Sequence, residues 1–132
     1  MLEEIIISTE KRVEIVDITN MVDELVRKSG VESGIAIIWT FHTTSAIVVN
    51  EGEPRLMKDI LKMLDRVIPE EGDYGHNIID RNADAHLRAT LLGESRVIPV
   101  ENGRLKLGTW QRVLFIELDG PRNRKVGVTV LG

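Results

Sequence analysis

Two stretches of this chain, Gly34 to Trp39 and Val113 to Leu118, carry apolar residues at successive positions rather than at alternate ones. Side chains alternate between the two faces of a strand, so a strand of this kind needs cover on both sides. The cover comes either from other elements of the same chain, with the strand central to the fold, or from a symmetric neighbour. Both sources are in play, because the rest of the sequence offers only three short helices to supply it.

The helices are legible from spacing and punctuation. Asn20 caps a helix from Met21 to Ser29 that Gly30 ends. Pro54 opens a second, with Leu56, Ile60, Leu64 and Val67 at helical spacing, which stops at Pro69. Asn82 caps a third that ends at Gly93. Strands fill most of the remainder: Ile5 to Ser8, Val13 to Ile18, Gly34 to Phe41, Ala46 to Val49, Val97 to Val100, Leu105 to Leu107, Arg112 to Leu118 and Lys125 to Leu131. Asn102-Gly103 predicts a type I′ hairpin between the fifth and sixth of these. The order of elements lacks the repeated β-α-β units of a doubly wound sheet. It predicts an α+β fold, one compact domain over residues 1–132 with a β-sandwich-like core and about three helices.

Composition narrows the function. With 132 residues, 42% of them hydrophobic, the chain is long enough for one proper core. No apolar run is long enough to cross a bilayer, and Met1 leads straight to Glu3 and Glu4 without a signal-peptide pattern, so a cytoplasmic protein is expected. A net charge of −4 with 4% aromatic residues argues against a nucleic-acid partner. Without cysteine, any metal is held by imidazole and oxygen. Arg122, Arg124 and Lys125 form the one basic cluster, read either as a solvated turn or as a phosphate or carboxylate contact.

The three histidines fall in the most polar stretches: His42 in F-H-T-T-S, His76 in D-Y-G-H-N and His86 in N-A-D-A-H-L. The loop from Pro69 to Arg81 is the longest without periodicity, and such connections are often functional. Three imidazoles with an open fourth position would hold a catalytic zinc; the plain alternative is that each is hydrogen-bonded separately at an element end. Glu51, Asp80 and Asp84 are the acid–base candidates, with capping and helix-dipole stabilisation as competing roles for Glu51 and Asp84. Thr43, Thr44 and Ser45 offer hydroxyls to an anion, and Asn82, Gln111 and Arg122 complete the expected substrate contacts. Trp110 is expected to pack in the core.

The segments H-T-T-S-A-I at 42–47, N-A-D-A-H-L at 82–87, L-L-G-E-S at 91–95, G-R-L-K-L-G-T-W-Q at 103–111 and E-L-D-G-P-R at 117–122 resemble the YjbQ-like family over nearly the whole chain. The resemblance implies a homotrimer and a polar pocket containing His42, His76 and His86, with bound metal suspected. The name attached to that family, secondary thiamine-phosphate synthase, reflects a weak thiamine-phosphate-forming activity. That reaction must stabilise a departing pyrophosphate, usually with magnesium and basic groups. A three-histidine zinc site suits metal-bound water and hydrolysis better. Two functions are therefore expected. One is a small metal-assisted enzyme, transferase or hydrolase, acting on a phosphorylated or anionic small molecule. The other is a non-catalytic trimeric protein that binds a metal or metabolite. Ser45 stands where many members have alanine, and Asp80-Arg81-Asn82 also departs mildly from the pattern; neither change removes a histidine.

Overall fold

The strand buried on both faces is β7, Arg112–Glu117, and it lies at the centre of the molecule. The structure, a computed structural model, describes residues 2–132. Its elements in chain order are β1 (Leu2–Ser8), β2 (Glu14–Asp17), α1 (Thr19–Ser29), β3 (Ser33–Thr40), β4 (Ser45–Asn50), α2 (Pro54–Val67), a 3-10 turn (Gly75–Ile78), α3 (Ala83–Leu92), β5 (Ser95–Glu101), β6 (Arg104–Leu105), β7 and β8 (Asn123–Leu131). Two antiparallel sheets result: β1-β8-β3-β5-β6 and β2-β7-β4. The fold is α+β, as the order of elements predicts. Among the described residues no helix is long and apolar enough to cross a membrane.

The two faces of β7 look into different cores. Val113 and Phe115 pack with Ile47 of β4 against Ala36, Ile38, Ile98, Val126 and Val128 of the five-stranded sheet, and Val22 and Val26 of α1 join the same cluster. Ile116 and Leu118 face the other way and pack with Ala46, Leu64 of α2 and Ala85 of α3. The smaller sheet is thus the middle of three layers, with α2 and α3 on one side and the larger sheet, joined by α1, on the other.

The same apolar signature in β3 has a different outcome. Ala36, Ile38 and Thr40 are buried, whereas Ile35 and Trp39 remain 37% and 41% exposed on the outer face. Both faces of β7 are covered within the chain; the outer face of β3 is not.

Local signals hold with shifts of one or two residues. Asn102 and Gly103 both have positive φ, 55° and 74°, as a type I′ turn requires, and Glu101 pairs with Arg104 across it. Helix α1 starts at Thr19, two residues earlier than the Met21 start that an Asn20 cap predicts, because Asp17 Oδ1 accepts both the backbone N–H of Thr19 at 3.0 Å and its hydroxyl at 2.6 Å. Asn82 sits at the N-cap of α3, yet its side chain does not cap the helix; Asn77 Oδ1 takes the N–H of Ala83 instead, at 3.2 Å. That exchange leaves the Asn82 amide free for the site described next.

Candidate functional site

The connection from β3 to β4 and the turn from β7 to β8 meet at one end of the sandwich. A buried ion pair joins them. Glu117 and Arg124 are 0% and 2% exposed. Arg124 Nε lies 2.9 and 3.1 Å from the two carboxylate oxygens, and its Nη2 donates to Oε2 as well. The same Nη2 donates to Thr44 Oγ1 at 2.9 Å and to the Thr44 carbonyl at 3.2 Å. Glu117 also accepts from the Thr9 hydroxyl at 2.7 Å and from the N–H groups of Leu118 and Asp119 at 3.0 and 3.1 Å. Burial pushes the Glu117 carboxyl up, but the bonds from Arg124, Thr9 and the Asp119 backbone outweigh it, and the net shift is downward.

With Thr44 fixed, His42 is placed against β8. The N–H of Lys125 donates to His42 Nε2 at 2.9 Å. A ring nitrogen that accepts carries no proton, so Nδ1 bears the proton of the neutral ring. Burial, then the positive charge of Arg124, and further Arg122 and Lys125, lower the His42 pKa against the opposing charge of Glu117. His42 is neutral at pH 7 and donates through Nδ1.

The 3-10 turn and α3 bring the other two histidines. His76 and His86 meet edge to face with ring centroids 4.9 Å apart. Asn82 Nδ2 donates to Asp119 Oδ2 at 2.8 Å, so its Oδ1 must accept from His76 Nε2 at 2.9 Å. Asp119 is held in turn by Arg122, whose Nε reaches the Asp119 carbonyl at 2.9 Å and whose Nη2 reaches the carboxylate at 3.2 Å. His86 borders two depressions. One, of about 390 Å³, is shared with His42, Thr43, Trp39 and Thr90; the other, of about 440 Å³, with His76, Tyr74 and Leu87.

The three histidines are therefore neighbours through His86, but they do not form a metal centre in these orientations. Nε2 of His42 and of His76 are both engaged with protein groups. Among the described residues no three His, Asp or Glu side chains converge closely enough to hold an ion.

Other expected site residues are dispersed, for identifiable reasons. Asp84 is 1% exposed and clamped by Arg12, with Nη2–Oδ1 at 3.1 Å and Nη1–Oδ2 at 3.2 Å, and by Arg88 at 3.5 Å. It is a structural anchor for α3 rather than a free proton carrier. Thr44 is likewise engaged by Arg124, while Thr43 faces the depression. Asn82 aligns His76, and Arg122 is exposed but tethered to Asp119. Asp80 is exposed, and its backbone N–H donates to the His76 carbonyl at 3.0 Å. Glu51 and Gln111 line a separate depression with Trp110, which is 71% exposed and not a core residue. The residues that sequence reading missed are Thr9, Arg12, Glu117 and Asp119. A readable signal existed for one of them: Glu117 is a lone carboxylate closing the apolar run V-L-F-I-E-L, a position that demands a buried cation.

Comparison with known proteins agrees with this architecture. The chain matches the UPF0047 protein YjbQ-like family over residues 3–132. A UPF0047 protein of Methanothermobacter thermautotrophicus is 52% identical over 130 residues, covering 98% of this chain and 91% of its own. The YugU protein of Bacillus subtilis is 41% identical with complete coverage of both. The crystal structure of a YbjQ-like protein of unknown function from Sulfolobus solfataricus superposes with a TM-score of 0.98 at 47% identity, covering 100% of this chain and 96% of that one. The chain is a small α+β sandwich protein with a histidine-lined cleft at one end. It belongs to the UPF0047 YjbQ-like family.

Two tests follow from the geometry. Glu117→Gln leaves Arg124 buried without a counter-charge and is expected to cost about 3–5 kcal/mol in urea unfolding; a loss under about 1 kcal/mol would show that the pair does not organise this end of the fold. His42 has a folded pKa below its unfolded value of 6.5. The unfolded chain therefore binds a proton first on acidification, so stability is unaffected by this group above that value and falls as pH drops through it. His42→Asn is expected to flatten that part of the profile, and an unchanged slope would contradict the assignment.

Proposed function

We propose that this protein binds and acts on a small phosphorylated or otherwise anionic molecule in the two adjoining depressions that share His86. The observation that carries this is His86 itself. Its imidazole is half-buried, its ring nitrogens have no hydrogen-bond partner among the described residues, and it faces both depressions. His42 supports the reading by offering a neutral N–H donor in a field set by Arg122, Arg124 and Lys125, where negative charge is welcome. Thr43 adds an exposed hydroxyl.

In this reading His86 exchanges the proton, His42 holds an anionic oxygen, and the Asp119–Asn82–His76 chain fixes the ring of His76 beside it. Thiamine-phosphate formation is the activity to assay first, in cytoplasmic protein, and hydrolysis of phosphate esters the second. A non-catalytic binding role is the competing reading. It is favoured by one fact: the carboxylates Glu51 and Asp84, expected to move protons, lie outside the cleft or are fully ion-paired.

Calorimetric titration with inorganic phosphate decides the site. His86→Ala and His42→Ala, each of confirmed fold, are expected to weaken binding by about tenfold or more, the order of a lost charge-assisted hydrogen bond. Metal content is measured on the same samples by plasma mass spectrometry. A substoichiometric content leaves the histidines as hydrogen-bonding and proton-exchanging groups. Near-stoichiometric zinc, or magnesium retained with a pyrophosphate ligand, would replace it with a metal centre formed by reorientation of the rings, provided both variants lose the ion.

The oligomer belongs to the same proposal. A homotrimer would cover the open face of the five-stranded sheet, where Leu2, Ile6, Ile35, Trp39, Val97 and Leu131 are between 37% and 60% exposed. These apolar residues share the face with the exposed Lys125–Glu4 pair, and a surface so rich in exposed apolar side chains, rimmed by charge, is an interaction surface more often than a solvated one. Light scattering coupled to gel filtration is expected to give three times the chain mass, and Val97→Asp to dissociate it; a monomeric wild type would remove the trimer from the proposal.

A further inference from the structure

The opposite end of the smaller sheet carries a second constellation that the histidine cleft does not use. Strand β4 runs from Ser45 at the histidine end to Asn50 at the other, so about 17 Å separate the two ends. Beyond Asn50, a depression of about 350 Å³ is lined by Asn50, Glu51, Leu56, Trp110 and Gln111 over Val49.

Its parts are held rigidly by their own backbone. Gln111 Oε1 accepts the N–H of Gly108 at 2.8 Å, and the Gln111 N–H donates to the Gly108 carbonyl at 3.1 Å. A side chain at Gly108 would press on that amide, since a Cβ there would sit 3.3 Å from Gln111 Oε1. This closed turn holds Trp110 outward, 71% exposed. On the facing wall, Asn50 Oδ1 accepts the N–H of Glu51 at 2.7 Å and so fixes the start of the Glu51 side chain. The nearby Arg112 is engaged by Asp17, with Nε–Oδ2 at 2.7 Å, and Glu53 caps α2. Glu51 is a partly buried residue whose carboxylate reaches solvent and has neither an ion pair nor a side-chain hydrogen bond among the described residues.

An exposed indole beside an uncompensated carboxylate is the pairing that recognises an organic cation. The indole face attracts positive charge, and the carboxylate accepts from N–H donors in one plane. We infer that the Glu51–Trp110 depression binds a planar organic cation of the amidinium or guanidinium type. The cation stacks on Trp110, donates to Glu51, and is bounded by the side-chain amides of Asn50 and Gln111. This site is separate from the histidine cleft and stands or falls without it.

Trp39→Phe leaves Trp110 as the sole tryptophan of a chain that has two. In that variant, benzamidinium is expected to change the indole emission saturably. The neutral, similarly shaped benzamide should bind about tenfold more weakly. Glu51→Gln should weaken benzamidinium by a similar factor while leaving benzamide unchanged, and Trp110→Ala should abolish the calorimetric signal with the far-ultraviolet spectrum intact. Four results would each overturn the inference: no saturation, equal binding of the neutral compound, indifference to Glu51→Gln, or loss of binding in His42→Ala instead. Protection of the lone Trp110 from acrylamide quenching in the free protein would do so too, since the indole would then be covered by another chain.

Discussion

The ion pair of Glu117 and Arg124 is the interaction on which this end of the molecule depends. Taking two charges out of water costs several kcal/mol per ion, and Coulomb attraction alone does not reliably recover it. Recovery here depends on the surrounding hydrogen bonds. Thr9 comes from the end of β1, Thr44 from the link between the sheets, and the N–H groups of Leu118 and Asp119 from the turn after β7. Thr9 and Thr44 come from segments distant from the β7–β8 turn, so the pair is satisfied only when all three segments meet. An apolar pair of the same volume could fill the space but would not specify which loops meet. The His42 contact with Lys125 and the Asp119 contact with Asn82 both start from residues this network fixes.

Most of the fold was legible because its signals are local. Helix punctuation at Gly30, Pro54 and Gly93 and the Asn102-Gly103 turn report backbone requirements that no distant contact overrides. Burial was less legible. Gly34 to Trp39 and Val113 to Leu118 look alike in sequence, yet β7 is sandwiched between layers and β3 is covered on one face only. Composition records that a face is apolar and not what lies against it. Trp110 makes the same point in reverse: its indole projects from a turn closed by Gly108 and Gln111, and no periodicity encodes that.

The site was half legible. Their polar settings left two readings open, that His42, His76 and His86 meet or that each sits separately at an element end; in the structure His86 packs on the ring of His76 and shares a depression with His42. Which nitrogen each ring offers depends on the Lys125 N–H and the Asn82 amide, from segments far away in sequence. Asp84 shows the limit most clearly. An acid in a helix's first turn beside a histidine looks catalytic or dipole-stabilising, and only tertiary structure reveals Arg12 and Arg88 around it.

The reassignment of the cap on α3 has a consequence for how this chain can vary. Asn77 closes the helix start because Asn82 is turned toward His76 and Asp119, and Asp84 in the same first turn is locked to Arg12. The irregular loop and the helix are therefore not a cassette followed by a scaffold. They are one cooperative piece with attachment points in the β1–β2 link and the β7–β8 turn. Grafting the loop and helix between relatives while leaving those two anchors behind would strand Asp84 in a buried position without Arg12, and the Asn82 amide that orients His76 without Asp119. The unit of exchange is the whole end of the sandwich.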